Sequence, residues 1–180
     1  MIYVSKYKSP LGEITLASDG ENLIGLWIEG QKYFFSNLKQ GIEEKNDLKI
    51  FCKTKKWLDR YFNKEKPEIS ELPLAPIGND FRQNVWKILQ EIPYGKTITY
   101  GEIANKLAKI MKKEKMSAQA VGGAVGHNHI SIIIPCHRVV GKSVSLTGYA
   151  GGIDKKVKLL ELEGVDMSKF FIPKKKYISF

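Results

Sequence analysis

The apolar residues of this chain change their period partway along it, and that change limits the fold more than any other feature. Over Met1–Tyr7, Gly12–Ser18 and Leu23–Ile28, apolar and polar residues alternate or β-formers crowd together. Ser9-Pro10-Leu11-Gly12 and Asp19-Gly20-Glu21-Asn22 punctuate these runs as turns, which predicts an antiparallel meander. From Leu48 the spacing becomes helical. Leu48, Phe51, Cys52, Leu58, Tyr61 and Phe62 predict a helix over 48–62, with Cys52 as a small buried hydrophobe. Residues 64–78 hold Pro67, Pro73 and Pro76 and no long periodic run, so they read as the connection between two halves.

The second half reads as helices followed by a short strand. Phe81, Val85, Trp86, Ile88 and Leu89 mark a helix that ends before Pro93-Tyr94-Gly95. Thr99-Tyr100-Gly101-Glu102 has capping-box spacing, in which the Thr hydroxyl and the Glu carboxylate each satisfy an orphan backbone N–H. Ile103, Ala104, Leu107 and Ile110 supply the apolar stripe behind that cap. Ser117 is a good N-cap for a third helix running through Val121-Gly122-Gly123-Ala124 to about Gly126. Adjacent glycines inside a helix cost about 1 kcal/mol each relative to alanine, so something must justify them. Either the chain packs tightly against that surface, or the helices over 102–110 and 118–126 form a helix-turn-helix with an unusually smooth second helix.

Charge distinguishes the halves as sharply as periodicity does. Residues 1–78 carry 12 Lys+Arg against 11 Asp+Glu, net +1, whereas residues 79–180 carry 17 against 8, net +9. A one-sided positive field favours polyanions, nucleic acid ahead of anionic membrane, although a solvated lysine-rich surface gives the same count. The two cysteines, Cys52 and Cys136, make no disulfide framework and lie in no Cys/His spacing suited to a metal, which fits a reducing, cytoplasmic setting. A basic region followed by an apolar run is absent from the N-terminus, and no stretch approaches the ~20 apolar residues of a membrane span. Neither secretion nor a membrane partner is expected.

The chemistry concentrates around Cys136. Ser131-Ile132-Ile133-Ile134 is expected to be a short buried strand that stops at Pro135-Cys136-His137-Arg138 and resumes at Val139-Val140-Gly141. A nucleophilic cysteine works as the thiolate and wants a basic or positive neighbour, and a histidine in that role wants an acid to orient it. His137 is adjacent, but neighbours on a strand point to opposite faces. Contact therefore requires a break in the strand, which Pro135 permits, or a bridging water. A Cys-His pair by itself also fits a structural cysteine. The same segment carries Ala120-Val121-Gly122-Gly123-Ala124, Asn128, Gly148-Tyr149-Ala150-Gly151-Gly152, Leu159-Leu160 and Glu163-Gly164. With Pro135-Cys136-His137-Arg138, and in this order, they make the stretch from Thr97 to Gly164 resemble the O6-alkylguanine-DNA alkyltransferase family. The first half resembles it more loosely, in its meander and in Trp57-Leu58 with Tyr61-Phe62.

The resemblance implies an α/β (α+β) fold in two parts. Residues 1–78 would form a small N-terminal antiparallel-sheet plus helix domain, ribonuclease H-like, with its connecting segment. Residues 79–169 would form a winged helix-turn-helix-like domain that binds DNA and accepts the alkyl group, followed by a basic and aromatic tail over 170–180. The implied activity is that of a methylated-DNA–protein-cysteine S-methyltransferase: irreversible, single-turnover transfer of a methyl or alkyl group from O6-alkylguanine, with O4-methylthymine a further candidate, to Cys136. No cofactor and no metal are implied, and the partner is double-stranded DNA, met through the minor groove by a monomer.

Carried over residue by residue, Cys136 is the acceptor, His137 takes its proton through a water, and Glu163 orients His137. Asn128 is the hinge between the smooth helix and the active-site strand, and Tyr100 donates toward guanine N3. Tyr149 and the backbone of Ala150 line the pocket at O6, while Val139 and Cys136 offer backbone groups to the exocyclic amine. Gln119, Ala120, Gly122 and Gly123 belong to the helix on which the base is flipped out of the stack. Arg138 is left no chemical role and reads as structural. Two positions depart from the family pattern: Gln119 stands where an intercalating arginine is usual, and Ala150 where serine is common. Rival classes are a sensor that binds alkylated bases without repairing them, which would lack the acceptor cysteine, and a cysteine hydrolase, for which water has no evident route to release an inert thioether.

Overall fold

In the computed structural model, which describes residues 1–36, 38 and 41–173, the period-two half folds into a sheet. Its strands are β1 (Ile2–Ser9), β2 (Gly12–Ser18), β3 (Leu23–Ile28) and β4 (Ile42–Glu44), in the order β3-β2-β1-β4. The first three pair antiparallel, as their alternation predicts. The β1–β2 connection closes on Gly12 at φ +106°, a conformation that glycine adopts without a Cβ clash. The fourth strand corrects the simple meander: β4 lies parallel to β1, with Ile2 opposite Ile42. Its three exposed residues are too short to show a period.

Every residue of β3 is buried, because neither its faces nor its outer edge meets water. The connecting segment bonds that edge at one end, Leu23 N to Pro73 O (2.9 Å) and Ala75 N to Leu23 O (2.9 Å). The second half bonds it in the middle, Leu26 N to His129 O (2.7 Å) and Ser131 N to Leu26 O (3.0 Å). An unpaired strand edge is thereby used to join the halves. Helix α1 (Lys49–Phe62) lays Ile50, Phe51, Thr54, Trp57, Leu58 and Tyr61 on the core. Cys52 corrects its expected burial: it is exposed, lying about 100° round the helix from Phe51 and off the buried stripe.

The second half is helical, and two of its helices begin at the caps that the spacing predicts. Helix α2 (Asp80–Gln90) starts at Asn79, whose Oδ1 accepts from Arg82 N at 3.0 Å. After the short strand β5 (Ile98–Thr99), α3 (Tyr100–Ile110) opens with the reciprocal cap: Thr99 Oγ1 accepts from Glu102 N (3.2 Å) and Glu102 Oε2 from Thr99 N (2.7 Å). Helix α4 (Ala118–Gly126) is capped by Ser117, then come strand β6 (Val139–Val140), parallel to β5, and helix α5 (Ile153–Leu162). One apolar cluster runs through both halves, from Leu26 and Phe51 to Trp86 and Ile130.

Helix α4 decides between the two readings of its glycines. Val121, Ala124 and Val125 face the core, while Gln119, Ala120 and Gly123 are exposed. A Cβ built on Gly123 would meet nothing within 4 Å, and one on Gly122 would meet only the Tyr100 ring at 3.8 Å. Tight packing within the chain therefore does not account for Gly123. Of the expected tail, Phe171 accepts a hydrogen bond from Leu146 N (2.9 Å) and residues 174–180 lie outside the described residues. Among the described residues no helix is long and apolar enough to cross a membrane.

Candidate active site

The segment expected to be a strand at Ser131–Ile134 is a turn instead. Ile134 N closes on Ile130 O at 3.0 Å and Ile133 N on Ser131 O at 2.8 Å, which places Ile132 at φ +70°. A β-branched residue holds that conformation only where its surroundings over-determine it. Asn128 supplies the constraint. Its Oδ1 accepts from Ile130 N (3.0 Å), and its Nδ2 donates to Ile130 O (3.3 Å) and Ile134 O (2.8 Å). High β-propensity at 131–134 thus yields to a side chain that satisfies the turn's own backbone.

The same amide reaches the candidate acceptor: Asn128 Nδ2 donates to Cys136 Sγ at 3.3 Å. Pro135, at φ −83° and ψ 65°, is the centre of an inverse γ-turn closed by Cys136 N to Ile134 O at 2.8 Å. Cys136, His137 and Arg138 follow as a single 3-10 turn, so the strand geometry that would separate Cys136 from His137 does not exist here. Burial pushes the Cys136 thiol up, against which the Asn128 amide and the Lys156 ammonium favour the thiolate.

Glu163 organises the other side of the site. Its Oε1 accepts from His137 Nε2 (2.6 Å), Tyr61 OH (2.7 Å) and Arg138 Nη2 (3.0 Å). Its Oε2 accepts from Arg138 Nε (2.9 Å) and Gly95 N (3.1 Å). Gly95 sits at φ +74°, where an added Cβ would lie 2.9 Å from Glu163 O, so the turn after Pro93 needs a glycine to bring its N–H this close. Burial alone would raise the Glu163 carboxyl, but His137 and Arg138 more than reverse it and hold the group well below the usual carboxylate range. Burial lowers His137 despite Glu163. With Nε2 engaged, His137 Nδ1 is a buried ring nitrogen with no hydrogen-bond partner.

Cys136 faces a cavity of about 180 Å³, lined also by Tyr100, Gly122, Val125, Gly126, Gly148, Tyr149, Ala150, Lys32 and Tyr33. Tyr100 OH donates to Thr147 O (3.2 Å), and burial followed by the proximity of Cys136 pushes its hydroxyl up to about 12. Burial and Cys136 likewise push Tyr149 well above the ordinary phenol range. Lys156 is buried beneath the loop and donates to Val139 O (2.5 Å), Gly148 O (3.3 Å) and Thr147 O (3.4 Å). Burial pushes its ammonium down to about 8. Val139 is therefore beside the site with its carbonyl already engaged, and Gln119, Ala120 and Gly123 stand on the open face of α4 outside the cavity. Among the described residues no group of three or more His, Cys, Asp or Glu is placed to hold a metal ion.

Further residues meet Glu163 and the cavity. Arg138 holds Glu163 and also donates to Ile92 O (2.6 Å), a positioning role in keeping with its structural reading. Tyr61 arrives from α1, and Lys32 and Tyr33 from the turn after β3, a hundred residues away from Cys136, where no local pattern could connect them. Lys156 did leave a signal, being three and four residues before the buried Leu159 and Leu160 and thus on the core face of α5.

The chain is similar to known proteins along most of its length. Residues 2–76 match the family model for the 6-O-methylguanine DNA methyltransferase ribonuclease-like domain, and residues 80–165 that for the DNA binding domain of the same family. The methylated-DNA–protein-cysteine methyltransferase of Haemophilus influenzae is 42% identical over 91% of this chain and 87% of its own length. That of Methanosarcina acetivorans is 40% identical over 91% of this chain and 99% of its own. A crystal structure of Mycobacterium tuberculosis OGT in complex with DNA aligns with TM-score 0.78 at 40% identity, over 93% of this chain and 94% of that one.

Proposed function

The chain belongs to the 6-O-methylguanine DNA methyltransferase family, and from that premise we propose that it repairs DNA by taking the alkyl group of O6-alkylguanine onto Cys136, once per molecule. The observation that carries this reading is the placement of Cys136 Sγ on a purine-scale cavity, 3.3 Å from the Asn128 amide and next in chain to a His137–Glu163 pair at 2.6 Å.

His137 Nδ1, buried and unpaired, is the group suited to take the thiol proton through a water, and Glu163 stabilises the imidazolium that results. The thiolate attacks the alkyl carbon, the S–C bond forms as the C–O6 bond breaks, and the electron pair goes to guanine O6. Tyr100, kept protonated by its raised pKa, donates toward guanine N3 as charge develops there. The backbone of Ala150 and the Tyr149 ring border O6, and the backbone of Cys136 and Val139 is the set proposed for the exocyclic amine, with the Val139 carbonyl shared with Lys156. The product is a thioether, which water does not cleave, so the protein is consumed.

A base must leave the stack to reach such a cavity. Helix α4 suits the minor groove, since its exposed Ala120 and Gly123 let a duplex approach the backbone. Gln119 fills part of the space that the base vacates, and a monomer suffices because every proposed group comes from one chain. Replacing the acceptor tests the reading: Cys136→Ser is expected to abolish transfer from alkylated duplex while retaining DNA affinity within about threefold. Transfer that survives in Cys136→Ser would refute it.

A further inference from the structure

The turn that follows β3 leaves its own sheet and is tied into the other half of the molecule at separated points. Glu29 O accepts from Lys155 Nζ on α5 at 2.7 Å. The buried Gln31 accepts through Oε1 from Ser131 Oγ (2.9 Å) in the active-site turn and from Ile28 N (3.1 Å). Lys32 N donates to Ala150 O at 3.0 Å. The Tyr33 ring then stacks on His127, just beyond α4, with centroids 4.0 Å and planes 24° apart. His127 is itself fixed by Nδ1 at 2.7 Å from Gly123 O. Tyr33 sits at φ +60°, which a bulky residue adopts only under such constraint.

This strap brings Lys32 and Tyr33 into the wall of the cavity that holds Cys136. The cavity is about 180 Å³, below the roughly 300–1,000 Å³ of ordinary small-molecule sites. Its other walls have little freedom. Gly122 and Gly126 contribute no side chain, Val125 belongs to the core, and Lys156 holds the 147–148 backbone. Tyr33 differs from these in being bulky, half exposed (47%) and clamped.

We infer that Tyr33, positioned by the 29–33 strap and stacked on His127, is a specificity determinant that limits the size of the O6 substituent admitted beside Cys136. The inference rests on the proposed transfer to Cys136. A single methylene in a fitted pocket changes selectivity about 10–200-fold, so a whole phenol ring on one wall is enough to separate methyl from benzyl.

Second-order transfer rates from O6-methylguanine and O6-benzylguanine in the same duplex, each read by adduct mass on Cys136, test it. Tyr33→Ala is expected to raise the benzyl-to-methyl rate ratio at least tenfold, and Tyr33→Phe, which keeps the ring, to hold the parent ratio. An unchanged ratio in Tyr33→Ala, or equal loss on both substrates, overturns the inference and leaves transfer to Cys136 standing. A parent protein that forms no adduct on Cys136 overturns the proposed function and the inference with it. Should a melt find Tyr33→Ala unfolded, His127→Ala releases the ring from its other side and must raise the same ratio, and its failure to do so overturns the inference equally.

Discussion

Glu163 is ionised in a buried place at the C-terminal end of a helix, where both the helix dipole and desolvation oppose its charge. What offsets them is the two-point grip of Arg138 together with His137, Tyr61 and Gly95. Removing one partner of such a pair leaves the other buried and uncompensated, at a cost of about 3–5 kcal/mol. Glu163→Gln is therefore expected to lower stability by an amount in that range and to slow transfer, with the Cys136 thiol titrating at higher pH. Thiol alkylation rates against pH, alongside a denaturant melt, check both, and a parent-like profile would remove Glu163 from the activation scheme. Cys136, His137, Asn128 and Glu163 were legible because the family motifs hold them in one stretch of sequence. Arg138 was legible only as structural, since nothing in sequence says which carboxylate a buried guanidinium will meet.

At the scale of elements, caps were read more faithfully than strands. Thr99 with Glu102 and Ser117 cap their helices as their spacing predicts. Residues 131–134 depart from the strand that their composition predicts, because period and propensity cannot register that Asn128 satisfies a turn from outside the run. Cys52 departs from its expected burial for a related reason: it neighbours Phe51 in sequence but falls outside the 51, 54, 58 and 61 stripe. Helix α4 offers the sharpest test at this scale. Because a Cβ on Gly123 meets nothing, Gly123→Ala is expected to stabilise the fold by about 0.5–1 kcal/mol through helix propensity. The same methyl stands on the face proposed to meet the minor groove and is expected to weaken binding of alkylated duplex about tenfold. A melt and a DNA titration decide the matter. A destabilised protein would return Gly123 to the core, and unaltered affinity would take DNA off this face.

For the whole molecule, the seam between the halves carries as much as either half does. The 129–131 backbone completes the edge of β3, and His129 lies between Trp27 of the sheet and Trp86 of α2, with ring centroids 6.2 and 5.9 Å away. Burial first, then the charges of Arg82 and His127, push the His129 imidazole down to about 4. Its folded pKa lies below the ordinary value near 6.5, so the unfolded chain binds the extra proton first. Stability from the neutral ring is full above about pH 6.5 and is lost as the pH falls toward 4. Unfolding free energy is expected to drop by about 2 kcal/mol from His129 between pH 7.5 and 5. His129→Gln should flatten that slope in denaturant melts, and an unaltered slope would locate the acid sensitivity elsewhere. The seam was invisible in the sequence, which announced each half by its own period and the net +9 of residues 79–180 by count, but not that residues 29–33 would reach across to the cavity. Repair by transfer is decided by where the alkyl group ends up. Intact-protein and peptide mass spectrometry after mixing with excess O6-methylguanine duplex should find one methyl per molecule, on Cys136 alone, with repair stopping at one equivalent. A methyl on Cys52, or continued repair beyond one equivalent, would contradict it.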